Sequence, residues 1–131
     1  MASAWETISR DRRQEPRYKV SLRASVSVIE AATAQDHGDV VLAQTSDVSR
    51  GGLSLVLFAT RLGPYNLGEG EHSVLIVLAL PSGDSVKLAG RLAYCTPLKP
   101  DDPAAGCLAG IQITELSADD RAVYDEFIDS L

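Results

Sequence analysis

The chain has 131 residues and a formal net charge of −6, a length that suits one domain of roughly 100–150 residues. Its 45% hydrophobic and 23% charged residues sit near the globular average, which excludes a fibrous or disordered protein. Two cysteines, Cys95 and Cys107, exclude a disulfide scaffold and suit a reducing compartment, with a single bridge left open.

Residues 1–16 show no strand pattern and are expected to form an N-terminal arm. The charge is uneven here. Residues 1–23 hold six cations (Arg10, Arg12, Arg13, Arg17, Lys19, Arg23) against three acids, net +3, while residues 24–131 hold six cations against fifteen acids, net −9. The N-terminus also lacks the continuous apolar stretch of a signal peptide.

From Val20 to Val28 apolar and polar residues alternate, which predicts a half-buried strand. Residues 31–39 read as a turn and Val40–Thr45 as a second strand. Asp47–Gly52 (DVSRGG) reads as a turn by its chemistry, and Leu53, Leu55 and Leu57 restart the alternation. Residues 60–72 carry three glycines and a proline and predict a long connection. Val74–Leu80 is apolar on both faces, as a strand buried on both sides would be. It is also the longest apolar run, seven residues against the ~20 that span a bilayer, so no membrane insertion is expected. PSGD at 81–84 is a hairpin turn. Val86, Leu88, Gly90, Leu92 and Tyr94 then share one face of a fifth strand, residues 96–106 form a loop, and Cys107–Ile113 is a sixth. Leu116, Val123, Tyr124, Phe127, Ile128 and Leu131 fall at helical spacing after the Ser117-x-x-Asp120 start signal, predicting a helix over about 117–130. Six antiparallel strands and one terminal helix make a mainly β chain, with a small barrel or sandwich over residues 17–131.

Little here suggests catalysis. His37 and His72 fall in predicted loops, and there is no HExxH, no His/Cys cluster and no nucleophile elbow, so no catalytic residue, metal or cofactor is expected. Cys95 and Cys107 read as small buried apolar residues. Neither phosphate-loop glycine motif occurs. The chemistry concentrates in two places. Arg13 and Arg17 flank Pro16, which disfavours a regular helix, so their guanidinium forks can converge on one ligand from an extended arm. Such forks match phosphate oxygens or the O6/N7 edge of guanine. In the second place, Asp47 offers a carboxylate for guanine N1–H and N2–H₂, Ser49 a hydroxyl, and Gly52 a sharp backbone turn.

Taken together, Arg13-x-x-x-Arg17 followed about thirty residues later by Asp47-x-Ser49-x-x-Gly52 resembles the PilZ domain family. GGLSL, VLIVLALP, SVKLAGRLAY and AGIQITELS, in that order before a terminal helix, extend the resemblance over nearly the whole chain from about residue 10. The resemblance implies a six-stranded antiparallel split β-barrel with a C-terminal helix. It also implies a receptor for the bacterial second messenger cyclic di-GMP, whose arginine arm wraps over the ligand. Arg13, Arg17, Asp47, Ser49 and Gly52 are then the ligand-binding residues, with Arg12, Arg10, Arg50 and Gly51 as additional contacts. Binding is expected to order the arm and create a surface for a downstream protein or a second copy in a homodimer. A cytoplasmic location goes with this reading. The alternative is a PilZ-like interaction adaptor that binds no nucleotide. DNA and RNA are not expected partners, because the acidic bulk of the chain repels polyanions and only seven aromatics are available for stacking.

Overall fold

The computed structural model of the chain describes residues 16–30, 35–36, 40–62, 65–67, 71–102 and 105–131. Its strands are β1 (Arg23–Glu30), β2 (Gln35–Asp36), β3 (Val41–Val48), β4 (Gly52–Leu57), β5 (Arg61–Leu62), β6 (Tyr65–Asn66), β7 (Ser73–Ala79), β8 (Ser85–Pro97) and β9 (Cys107–Leu116), followed by helix α1 (Ala118–Asp129). The main sheet runs β2-β1-β3-β4-β9-β8-β7, and β1 also pairs with β7. That last pairing closes β1, β3, β4, β9, β8 and β7 into a six-stranded antiparallel barrel, which leaves those strands without a free edge. The expected barrel and terminal helix are both present.

Period-two alternation gives the barrel its filling. Val26, Val28, Val41, Ala43, Leu53, Leu55, Val74, Ile76, Val86 and Leu88 all point inward and are buried. Residues 60–72, expected to be a plain connection, contain the β5–β6 hairpin followed by Leu67, which is 1% exposed and joins the core. Val74–Leu80 is not covered on both sides. Val74, Ile76 and Leu78 are buried, but Leu75 and Val77 on the outer face are only half-buried, because a barrel strand has one inner face.

Helix α1 begins at the expected cap, where the Ser117 Oγ accepts from the Asp120 N–H at 3.1 Å. Asp119 and Asp120 in its first turn suit the positive end of the helix dipole. Tyr124 and Ile128 are the residues it buries.

Three strand positions depart from regular pairing, and each carries one extra residue. Thr45 pairs with Leu55 and Asp47 with Ser54, which leaves Ser46 over. Leu92 pairs with Ile111 and Tyr94 with Gly110, leaving Ala93. Ala89 pairs with Glu115 and Gly90 with Ile113, leaving Thr114. One extra residue shifts the phase of everything beyond it by one, so the side chains that follow change faces. This corrects Tyr94, expected to share the inward face of Val86, Leu88 and Leu92. Those three are buried, whereas Tyr94 is 49% exposed on the outer surface.

The cysteines need a second correction. Cys95 and Cys107, expected as separate buried residues, are joined by a disulfide with a Cα–Cα distance of 5.8 Å. Cys95 lies opposite Ala109, and Cys107 opposite Pro97, so the two are diagonal neighbours across β8–β9 at a distance that a bridge spans. The twelve-residue separation concealed this, because the loop after Pro97 folds β9 straight back onto β8.

Candidate functional site: a groove on the outer barrel wall

Arg17 is positioned by the backbone beside it. Tyr18 and Val48 exchange two N–H to carbonyl bonds of 2.9 Å. Further along, the Thr45 Oγ accepts from the Leu22 N–H at 2.8 Å and donates to the Val20 carbonyl at 2.5 Å. Residues 18–22 are thereby pinned along β3, next to Asp47. The Ser46 bulge turns Asp47 to the outside, where its Oδ1 accepts from the Arg17 Nε at 3.2 Å. Both partners are partly solvated, so the pair orients Arg17 more than it stabilises the fold.

Beside this pair the outer wall of β4, β8 and β9 forms a groove of about 700 Å³, within the range of small-molecule sites. Arg17, Ser49, Gly51 and Gly52 line one side, and Arg91, Tyr94 and Gln112 the other. Among the described residues the lining holds two arginines and no carboxylate, so the described lining is cationic, while residues 24–131 as a whole carry a net −9. Asp47 is not among the lining residues and reaches the groove through Arg17.

Glycine makes the floor flat. A Cβ on Gly52 would meet the Ile111 carbonyl oxygen at 2.7 Å, and one on Gly110 would overlap the Tyr94 ring. The motif turn is closed from within. Ser49 is 3% exposed; its Oγ accepts from the Gly52 N–H at 3.1 Å and donates to the Gly52 carbonyl at 3.0 Å. The Ser49 hydroxyl thus shapes the turn at the wall of the groove. The Gly51 carbonyl accepts from the Ile113 N–H at 2.9 Å, tying the turn to β9.

Arg50 leaves the groove. Its guanidinium pairs with Asp125 at 3.4 Å and with Asp129 of α1. The hydrogen bond to Asp129, with the charges of both carboxylates, raises its pKa further above the ordinary guanidinium value. Arg50, expected as an additional ligand contact, is thus engaged by the helix in this structure. The Arg50 carbonyl accepts from the Arg121 guanidinium at 3.1 Å, and the Ser49 carbonyl accepts from the buried Tyr124 hydroxyl at 2.5 Å. The motif turn is gripped by α1 on one side and opens to the groove on the other.

The structure thus brings Arg17, Asp47, Ser49, Gly51 and Gly52 together; Arg10, Arg12 and Arg13 lie outside the described residues. The sequence reading missed Tyr94, Arg91 and Gln112. Arg91 and Gln112 face each other across β8–β9, with the Arg91 guanidinium donating to the Gln112 Oε1 at 2.9 Å. The available signal was Gly90 and Gly110 interrupting two apolar strands, since glycine within a strand often marks a bulge or a close approach.

No curated protein sequence matches the chain. Among solved structures it is similar to the Bacillus subtilis inhibitor of motility MotI/DgrA, with a TM-score of 0.59 and 19% identity over 91% of this chain. The chain spans 50% of that protein's length. It is also similar to the PilZ domain of CeSA from a cellulose-synthesizing bacterium, with a TM-score of 0.56 and 17% identity, covering 88% of this chain and 96% of that one. At these identities the likeness concerns the fold, but the PilZ domain family model matches residues 11–130, and the chain belongs to the PilZ domain family.

Proposed function

We propose that this chain is a non-catalytic receptor for cyclic di-GMP, which it binds in the groove on the outer wall of β4, β8 and β9. The observation that carries the reading is the Arg17–Asp47 pair at 3.2 Å, beside a groove of about 700 Å³ whose described lining has two arginines and no carboxylate. Arg17 and Arg91 offer charge-assisted hydrogen bonds to phosphate or to the O6/N7 edge of guanine. Asp47 accepts from guanine N–H groups or keeps Arg17 aimed. Arg13, three residues beyond Pro16, adds a second fork from the arm, with Arg12 and Arg10 near it. The bound dinucleotide holds the arm against the barrel, and the composite surface is what a downstream protein or a second copy recognises.

Titration calorimetry with cyclic di-GMP tests this. Arg13→Ala and Arg17→Ala should each lose about 1.5–3 kcal/mol of binding free energy, roughly ten-fold or more in affinity. Saturating ligand at a hundred times its dissociation constant should add about 2.7 kcal/mol of stability. Unchanged affinity in both variants would sink the reading. The adaptor alternative gains from one observation: the Ser49 hydroxyl and Asp47 already have partners within the protein. It predicts no heat and no thermal shift with the nucleotide.

A further inference from the structure

Tyr94 has no role in the two sequence motifs, yet its placement is specific. The Ala93 bulge takes it out of the inward series and sets it on the outer wall, 49% exposed. There the ring lies across Gly110, where any side chain would displace it. The pairing register puts Asp47, Ser54, Gly110 and Tyr94 in one row across β3, β4, β9 and β8. Separate bulges thus turn Asp47 and Tyr94 onto the same face from opposite ends of that row. Between them in that row stand Ser54 and Gly110, and of the four Gly110 and Tyr94 line the groove. Arg91, held by Gln112 at 2.9 Å, supplies a cation to the same groove lining as Tyr94.

We propose that Tyr94 is the base-stacking residue of the groove, its exposed ring face taking one guanine of the cyclic dinucleotide while the Arg17–Asp47 side engages the rest. The inference rests on the cyclic di-GMP reading and adds the specificity element that the motifs lack. Arginine and carboxylate recognise phosphates and base edges, whereas an aromatic face recognises the plane of a base. The competing explanation is that the ring merely shields the Gly110 backbone, a service that leucine would also perform.

The test is calorimetry with cyclic di-GMP on the wild type, Tyr94→Phe, Tyr94→Leu and Tyr94→Ala, with urea midpoints measured on each. Stacking on an aromatic predicts that Tyr94→Phe stays within about three-fold of wild type, and that Tyr94→Leu and Tyr94→Ala lose roughly 5- to 150-fold. Proton NMR of the wild type gives a readout that needs no variant: ligand addition should move the Tyr94 ring protons upfield. Wild-type binding with Tyr94→Leu unaffected, or with no ring-current shift at Tyr94, overturns the stacking role and leaves the receptor reading standing. Absence of any wild-type binding overturns both.

Discussion

Removing one buried oxygen from α1 tests how the motif turn is held. The Tyr124 hydroxyl donates to the Ser49 carbonyl at 2.5 Å, and Tyr124 is fully buried. Tyr124→Phe keeps the ring and its packing but strands that carbonyl. A typical intramolecular hydrogen bond contributes about 1 kcal/mol net, whereas a buried acceptor left unpaired costs about 1–3 kcal/mol. Unfolding entropy near 2.1 cal/mol/K per residue gives about 0.28 kcal/mol/K for 131 residues. The expected fall in Tm is therefore about 4–11 °C. With a urea m-value near 2 kcal/mol/M, the midpoint should drop by about 0.5–1.5 M. Arg50→Ala is the natural control. It removes an exposed pair with Asp129, while Arg121 still faces the buried Asp125 Oδ1 at 3.5 Å, so the midpoint should fall less than in Tyr124→Phe. A Tyr124→Phe midpoint equal to that of wild type would refute the idea that α1 buttresses the turn through this bond. Loss of the buttress should also weaken cyclic di-GMP binding, though less than Arg17→Ala does, because Tyr124 acts only by fixing Ser49.

Gly52→Ala places a Cβ 2.7 Å from the Ile111 carbonyl oxygen. Backbone on a paired strand yields poorly, so urea titration should show a loss of about 1–3 kcal/mol; wild-type stability would mean β4 and β9 can separate there freely. The Cys95–Cys107 bridge closes a short loop, and chain entropy assigns about 3 kcal/mol to a loop of about fifteen residues. Cys95→Ala combined with Cys107→Ala should lower the midpoint accordingly, and two titratable thiols in the oxidised folded protein would contradict the bridge. Cyclic di-GMP affinity should fall with added salt, because the groove contacts are partly solvated charges, and single-stranded RNA at equal phosphate concentration should not displace the dinucleotide. Displacement by RNA would show that the acidic wall does not screen polyanions.

The barrel was legible because its signal is local. In β1, β4 and β8 the alternation of apolar and polar residues follows from side chains pointing to opposite faces, and β7 shows as a short apolar run, so no knowledge of the partner strand is needed. The helix was legible for a similar reason: Ser117 and the 3.6-residue apolar stripe are both local. What stayed hidden depends on pairing. Nothing within LAYCT shows that Ala93 is the extra residue; that is decided by Gly110 and Ile111 on β9. Asp47 was read as part of a turn, but it lies in β3 and faces outward because of Ser46. The contact between Arg50 and Asp129 spans 79 residues, and no spacing rule reaches that far. Arg17, Asp47 and Gly52 stood out by their chemistry and were joined into one site by the family's motifs, whereas Tyr94, Arg91 and Gln112 belong to neither motif.

The charge distribution acquires a physical meaning once the groove is located. Residues 24–131 carry a net −9, yet among the described residues the groove on that body has Arg17 and Arg91 in its lining and no acid. Asp47, the nearest carboxylate of the motif, is occupied by Arg17, while Asp125 and Asp129 are turned toward Arg50 on the helix side. The carboxylates near the motif are thus either paired or on the far side of the turn. A polyanion longer than the groove must extend over a body that carries this net negative charge, which disfavours each further phosphate. A dianion that fits within about 700 Å³ would instead meet Arg17, Arg91 and the uncharged residues around them. For the ligand proposed above, the same net acidity would act as a size filter, favouring a compact nucleotide over a strand carrying the same chemistry.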